Sequence, residues 1–216
     1  MRDLIRKEGG RPAGDAAAGI VHMIGGGLAL VGLPFLGVEI AHRPSVGLIV
    51  GASVYAFFVL YHFSLSAVAH SLRSRMGRLV LGALDDSGSL ALLAASWTPF
   101  CLSLFKGTAG WILFGLAWGF MVLAFLFRLF VGSGRARESI FSGYYLAFGL
   151  LVPLIDPYRS LLGPNILPWT LLAGLLYALG LFFRTKKGNP YNHAIWHAFT
   201  MNAAICQYFA LLFLAA

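Results

Sequence analysis

Asn189-Pro190-Tyr191-Asn192-His193-Ala194-Ile195-Trp196-His197-Ala198-Phe199 opens the last apolar segment of this chain. A polar turn containing proline leads into a run, 192–214, long enough to cross a bilayer, for which about 20 predominantly apolar residues suffice. His193 and His197 are spaced i, i+4, so on a helix they point the same way, one turn apart. Two imidazoles on one face suit a single metal ion. Packing is the commoner use of helical histidines. Ionisable groups inside a membrane segment are costly and need a reason, however, and this setting favours a site.

The rest of the chain has the same character. Of its 216 residues, 59% are hydrophobic and 11% charged, whereas a soluble domain carries about 25% charged residues. This composition implies an all-α polytopic membrane protein with no room for a second soluble domain. Seven spans are expected, at 17–38, 46–70, 82–104, 109–131, 139–155, 166–183 and 192–214, the fifth being the shortest. Turn signals separate them at His42-Arg43-Pro44, Lys106-Gly107, Gly132-Ser133-Gly134, Asp156-Pro157 and Lys187-Gly188-Asn189-Pro190. The polar stretch before the first span lacks a small-residue cleavage pattern, so that span reads as retained. The expected organisation is a cytoplasmic segment, 1–16, followed by one seven-transmembrane helix bundle, 17–216. Cys101 and Cys206 are the only cysteines, which excludes a disulfide framework.

The formal net charge of +8 does not point to nucleic acid, because basic residues in a membrane protein gather in cytoplasmic loops. Arg2, Arg6, Lys7 and Arg11 precede the first span. Arg73, Arg75 and Arg78 follow the second, Arg128, Arg135 and Arg137 surround the fourth connection, and Arg184, Lys186 and Lys187 precede the seventh. All are inside if the N-terminus is cytoplasmic, and only Arg43, Lys106 and Arg159 are outside. With an odd number of spans the C-terminus is then outside, and a bacterial inner membrane is the expected location. In this orientation the second span ends inside at His70, the third starts inside near Asp85 and Asp86, and the seventh starts inside near His193 and His197. His22 lies about one turn into the first span. Residues from distant parts of the chain thus share one depth.

Three neutral imidazoles with one open position make a catalytic type of zinc centre. Zinc lowers the pKa of its water to about 7 and polarises carbonyls. His70, His193 and His197 are the expected ligands, and Asp85 is the acid on the water side or behind a ligand. Imidazole also suits copper, iron and nickel, which leaves the metal's identity open. Ser66, one turn before His70 on the same face, reads by itself as a helix-packing serine.

Ser66-Ala67-Val68-Ala69-His70-Ser71, Leu84-Asp85-Asp86-Ser87-Gly88, Trp97-Thr98-Pro99-Phe100 and Pro190-Tyr191-Asn192-His193-Ala194-Ile195-Trp196-His197 together resemble the signature of the hemolysin III family. That family groups with the progestin and adipoQ receptors and, more distantly, with alkaline ceramidases. The resemblance covers nearly the whole chain. It implies zinc held by His70, His193 and His197, Asp85 acting through water, and a site role for Ser66. Two departures stand out. Asp86 occupies a position where bacterial members usually carry histidine, leaving open which carboxylate faces the metal. Ala18 stands where an asparagine often precedes the histidine of the first span; His22 itself matches the family position, with a helix-end or interface histidine as the competing reading.

Other polar residues are set aside. His62 lies about 12 Å along the helix axis from His70 at ~1.5 Å per residue, which favours a packing or hydrogen-bonded role. His42 sits in a short loop. Cys206 is too far beyond His197 to share a centre with it, and Cys101 lies in the outer half of its span; both read as buried apolar side chains. Gly25-Gly26-Gly27 lacks the context of a phosphate loop and suits close helix packing. Pro99 and Pro153 are expected kinks.

The leading expectation is metal-dependent hydrolysis of a lipid amide or acyl bond, with a membrane lipid as substrate or ligand, Asp85 as proton acceptor and Ser66 or zinc at the oxyanion. A membrane sensor with structural zinc is the alternative from a different class. A pore-forming cytolysin, suggested by the family name, finds no amphipathic or strand-alternating segment to support it. Oligomeric state is open.

Overall fold

The computed structural model describes residues 13–71, 75–131, 135–186 and 188–216. Among these are seven helices and no strand. They are α1 Ala13–His42, α2 Val46–Ser71, α3 Arg75–Pro99, α4 Gly107–Val131, α5 Arg135–Tyr144, α6 Tyr158–Thr185 and α7 Asn192–Ala215. α3 runs on as a π-helical turn, Phe100–Leu104. α5 continues as a π-helical stretch, Tyr145–Leu151, and ends in a 3-10 turn, Val152–Leu154. Six helices are long and apolar enough to cross a membrane; the apolar part of α5, Glu138–Leu154, falls short. The chain is therefore an all-helical integral membrane protein, and each of the seven expected segments coincides with a helix. Of the residues used to orient it, Arg2, Arg6, Lys7, Arg11, Arg73 and Lys187 lie outside the described residues, as do the side chains of Arg75, Arg78, Arg128, Arg135 and Arg137 and the turn Gly132-Ser133-Gly134.

α3 is the axis of the bundle. Within its apolar window, Leu84–Leu104, 78% of residues are buried, against 22% for the windows of α1 and α4. Small residues let α2 lie close against it. A Cβ on Gly51 would stand 2.8 Å from Pro99 N, and one on Gly47 would run into the Leu102 carbonyl. These glycines are one turn apart on α2, the spacing by which membrane helices bring their backbones together. Pro99 has no N–H to donate, and the wider π turn begins just after it.

The other irregular stretch also has partners. Trp97 Nε1 donates to Phe148 O at 2.7 Å, inside the π-helical part of α5. Tyr144 Oη reaches Leu90 O and Ala117 O, both at 3.2 Å, and Trp118 Nε1 donates to Thr98 Oγ1 at 3.1 Å. The segment Trp97-Thr98-Pro99-Phe100 thus fastens α3 to α2, α4 and α5. Pro153 does not kink a span as expected: it lies in the 3-10 turn that ends α5. A kink lies instead in α6. There Gly163 takes φ 63° immediately before Pro164, because a residue preceding proline is disfavoured in the helical region and glycine tolerates positive φ.

Candidate metal centre

The polar half of the motif that opens α7 closes its turn. Asn189 Oδ1 accepts from Tyr191 N at 2.9 Å, and Asn192 N donates to Asn189 O at 3.2 Å. Asn192 Nδ2 donates to Lys186 O at 2.8 Å, tying the turn back to the end of α6. The first turn of α7 is fixed in this way, and His193 and His197 project from it side by side. Gly14, at the start of α1, lies against the Pro190 carbonyl where any Cβ would collide. That contact brings the first turns of α1 to the same place.

His70 from the end of α2, Asp85 from α3, and His193 and His197 from α7 place one ligand atom each within 4.8 Å of one another. His193 Nε2 and His197 Nε2 are 3.0 Å apart, and His70 Nε2 is 3.4 Å from Asp85 Oδ2. The His70 ring lies 5.3 Å from that of His193 and 5.1 Å from that of His197, centroid to centroid. Two nitrogens on one tetrahedral zinc, at about 2.0–2.1 Å each, stand about 3.3 Å apart. The spacing and the chemistry of this donor set both fit such an ion. Ser66 Oγ donates to Asp85 Oδ1, so the serine hydroxyl is engaged with the carboxylate.

All five residues expected at the site, Ser66, His70, Asp85, His193 and His197, therefore meet. His22 joins them. It is buried, its ring 4.4 Å from that of His197 and stacked 5.7 Å from that of His70. Asp86 points elsewhere: Arg184 Nη2 lies 3.4 Å from its Oδ1 and Arg184 Nε donates to Glu138 Oε2 at 3.1 Å. The open question of which carboxylate faces the histidines is answered by Asp85. Arg184 is itself nearly buried and sits 4.0 Å over the Phe141 ring, so this basic residue also bridges helices.

His62 is closer to the centre than helical rise implied. Its Nδ1 lies 3.4 Å from Ser66 Oγ and 3.9 Å from Asp85 Oδ1. Axial distance from His70 was the wrong measure, since Asp85 reaches α2 from the neighbouring helix, between the two histidines. The signal was present in sequence, because His62, Ser66 and His70 are three successive i, i+4 positions. Asp15 was also overlooked; its Oδ1 is 3.8 Å from His70 Nδ1. It precedes His22 by seven residues, two turns along the same face of α1. His42 is exposed, as expected, but closes α1 and does not lie in a loop, and Cys101 and Cys206 are buried free thiols, as expected.

Several buried nitrogens at the centre lack a hydrogen-bond partner: both of His22, Nε2 of His62 and Nδ1 of His197. An unsatisfied buried polar atom costs about 1–3 kcal/mol, so a cluster of them favours a further partner such as a metal ion. Beside the cluster lies an apolar cavity of about 290 Å³ between α1, α2 and α7. Gly25, Tyr55, Phe63, Met201 and Tyr208 are in its wall, and the Phe63 ring lies 5.8 Å from that of His22. Leu28 and Val31, also in its wall, are exposed on the outer surface of the bundle. The cavity therefore reaches the lipid-facing side, while neither the histidines nor Asp85 are in its wall.

The model of the family described as "Haemolysin-III related" matches residues 15–208. The chain is 31% identical over 201 residues to the Hemolysin-3 homolog of Bacillus subtilis (strain 168), covering 92% of this chain and 93% of that protein. Hemolysin-3 of Bacillus cereus is 28% identical over 201 residues, with 92% and 90% covered. The human monocyte to macrophage differentiation factor is 27% identical over 124 residues, 55% of this chain and 49% of its own length. No solved structure matches.

Proposed function

Because the chain belongs to the hemolysin III family, we propose that it is a metal-dependent lipid hydrolase of the bacterial inner membrane, acting on an amide or acyl bond. The observation that carries this reading is the convergence of His70, Asp85, His193 and His197, whose ligand atoms lie within 4.8 Å of one another. His70, His193 and His197 would hold zinc, which supplies a Lewis acid able to acidify water toward neutral pH and to polarise a carbonyl. Asp85 accepts the proton of the attacking water. Ser66 holds the Asp85 carboxylate in place through its hydroxyl. The cavity takes an acyl chain, excluding water from all but the reacting end; its volume is near the lower end of the usual range for ligand pockets, about 300–1,000 Å³.

The proposed arrangement in the membrane is a cytoplasmic segment 1–16, a seven-transmembrane domain 17–216 and a C-terminus outside, which puts the centre near the cytoplasmic face. The deciding experiment is metal analysis of the purified, detergent-solubilised protein beside the His193→Ala/His197→Ala variant, with release of fatty acid from a ceramide and a phospholipid measured on both. At least one zinc per chain, reduced in the variant, together with metal-dependent product release, supports the hydrolase. A metal-free wild type, folded and never exposed to chelator, overturns it. Zinc without turnover on any acyl lipid leaves a sensor with structural metal. Lysis that persists without metal is the outcome expected of a cytolysin, as the names of the Bacillus relatives suggest.

A further inference from the structure

We propose that His22, His62 and the Oδ1 of Asp85 form a second divalent-cation site beside the first, so that the centre is binuclear. The inference rests on reading the His70, His193 and His197 cluster as a metal centre. Ligand atoms of His22, His62 and Asp85 all lie within 4.8 Å of one another, and all three residues are buried. The two oxygens of Asp85 face different ways. Oδ2 is the one near His70 Nε2, at 3.4 Å, while Oδ1 faces Ser66 and lies 3.9 Å from His62 Nδ1. Asp85 thus offers Oδ1 to the second site and keeps Oδ2 on the side of the first, free to take up a proton.

Hydrogen bonding inside the protein does not account for this second group. Ser66 has one proton and gives it to Asp85, so it can only accept from His62. With its hydrogen on Nε2, His62 turns towards Asp85 a bare Nδ1 lone pair that Ser66 has no proton left to satisfy. His22 has neither nitrogen partnered, and its ring stands edge-on to His62 at 5.2 Å. Two imidazoles and a carboxylate suit zinc and other first-row divalent ions. Two-metal sites hold their ions about 3.5–4 Å apart and stabilise both the attacking and the leaving oxygen of a displacement. In that arrangement His22 and His62 belong to the reacting centre and not to the packing around it.

Zinc per chain, counted by mass spectrometry after purification in zinc-buffered detergent, tests the proposal. The expected values are two in the wild type, one in His62→Ala and one in His22→Asn. Zinc-edge X-ray absorption is expected to show a metal–metal distance of about 3.5–4 Å in the wild type and none in either variant. One zinc in the wild type, unchanged in both variants, overturns the second site and leaves the three-histidine site standing. Two zincs retained in both variants overturn the assignment to these residues. Loss of all zinc from both variants, with folding verified by size-exclusion profile, overturns the separation into two sites. No zinc in the wild type overturns both readings together.

Discussion

Asp85 is the residue on which the centre turns, since its two oxygens face α2 histidines on both sides of Ser66. Asp85→Asn keeps size and shape and removes the charge. The expected result is zinc retained at His70, His193 and His197 with lipid hydrolysis lost; turnover surviving in this variant overturns the role of Asp85 as proton acceptor. Ser66→Ala removes the hydroxyl that holds the carboxylate. Partners of this kind typically contribute 10–100-fold, so activity or zinc affinity is expected to fall by about that factor, with Ser66→Thr recovering part of it. The histidines of the candidate metal centre and Ser66 were legible because they carry their own spacing signals: His193 and His197 four apart, Ser66 and His70 four apart. Asp15, His22 and His62 were harder to read. Their meaning depends on where α1 and α3 cross α2, which no spacing along one helix reveals. The choice between Asp85 and Asp86 was likewise closed to sequence, because adjacent residues on a helix point about 100° apart and only the packing of α3 decides which one faces inward.

At the scale of the element, the helices are held at fixed approach by small residues and by one buried cation. Gly51→Ala puts a methyl against the Pro99 backbone. Overpacking of this kind costs about 1–3 kcal/mol, and a lower melting temperature in detergent, measured by thermal unfolding, is the expected outcome. Gly27→Ala, where nothing lies within 4 Å of the new carbon, is the control and is expected to leave stability unchanged. Arg184 ties α6 to Asp86 on α3 and Glu138 on α5. Removing one partner of a buried ion pair typically costs 3–5 kcal/mol. Both carboxylates keep some exposure, so Arg184→Met is expected to cost about 3 kcal/mol, near the lower end of that range, in the same unfolding measurement. The helices themselves were legible, since apolar length is a local property. Their irregular turns were only half legible. Pro99 and Pro153 were equally good candidates for kinks, yet the first precedes a π turn and the second closes a helix, while the actual bend belongs to Gly163. Proline marks a break in hydrogen bonding; what the chain does there depends on which neighbouring donors, such as Trp97 Nε1, take up the freed carbonyls.

At the scale of the molecule, the proposed topology has a direct check. A reporter fused after Ala216 that is active only outside the cytoplasm is expected to be active, and one fused at the N-terminus silent; the reverse pattern overturns the orientation, and both ends on one side overturns the seven crossings. The short α5 has a consequence of its own. Its apolar part, Glu138–Leu154, spans 17 residues, at most about 26 Å as α-helix, beside long helices such as α6 at 28 residues. Leu146, Leu151 and Leu154 on α5 are exposed on the outer surface. Lipids along that flank therefore meet a hydrophobic belt shorter than the roughly 30 Å of an average hydrocarbon core, a mismatch relieved by thinning the bilayer locally. The protein is then expected to unfold at a higher temperature in vesicles of short-chain phosphatidylcholine than in long-chain ones, with membrane thickness acting on the bundle from one side only.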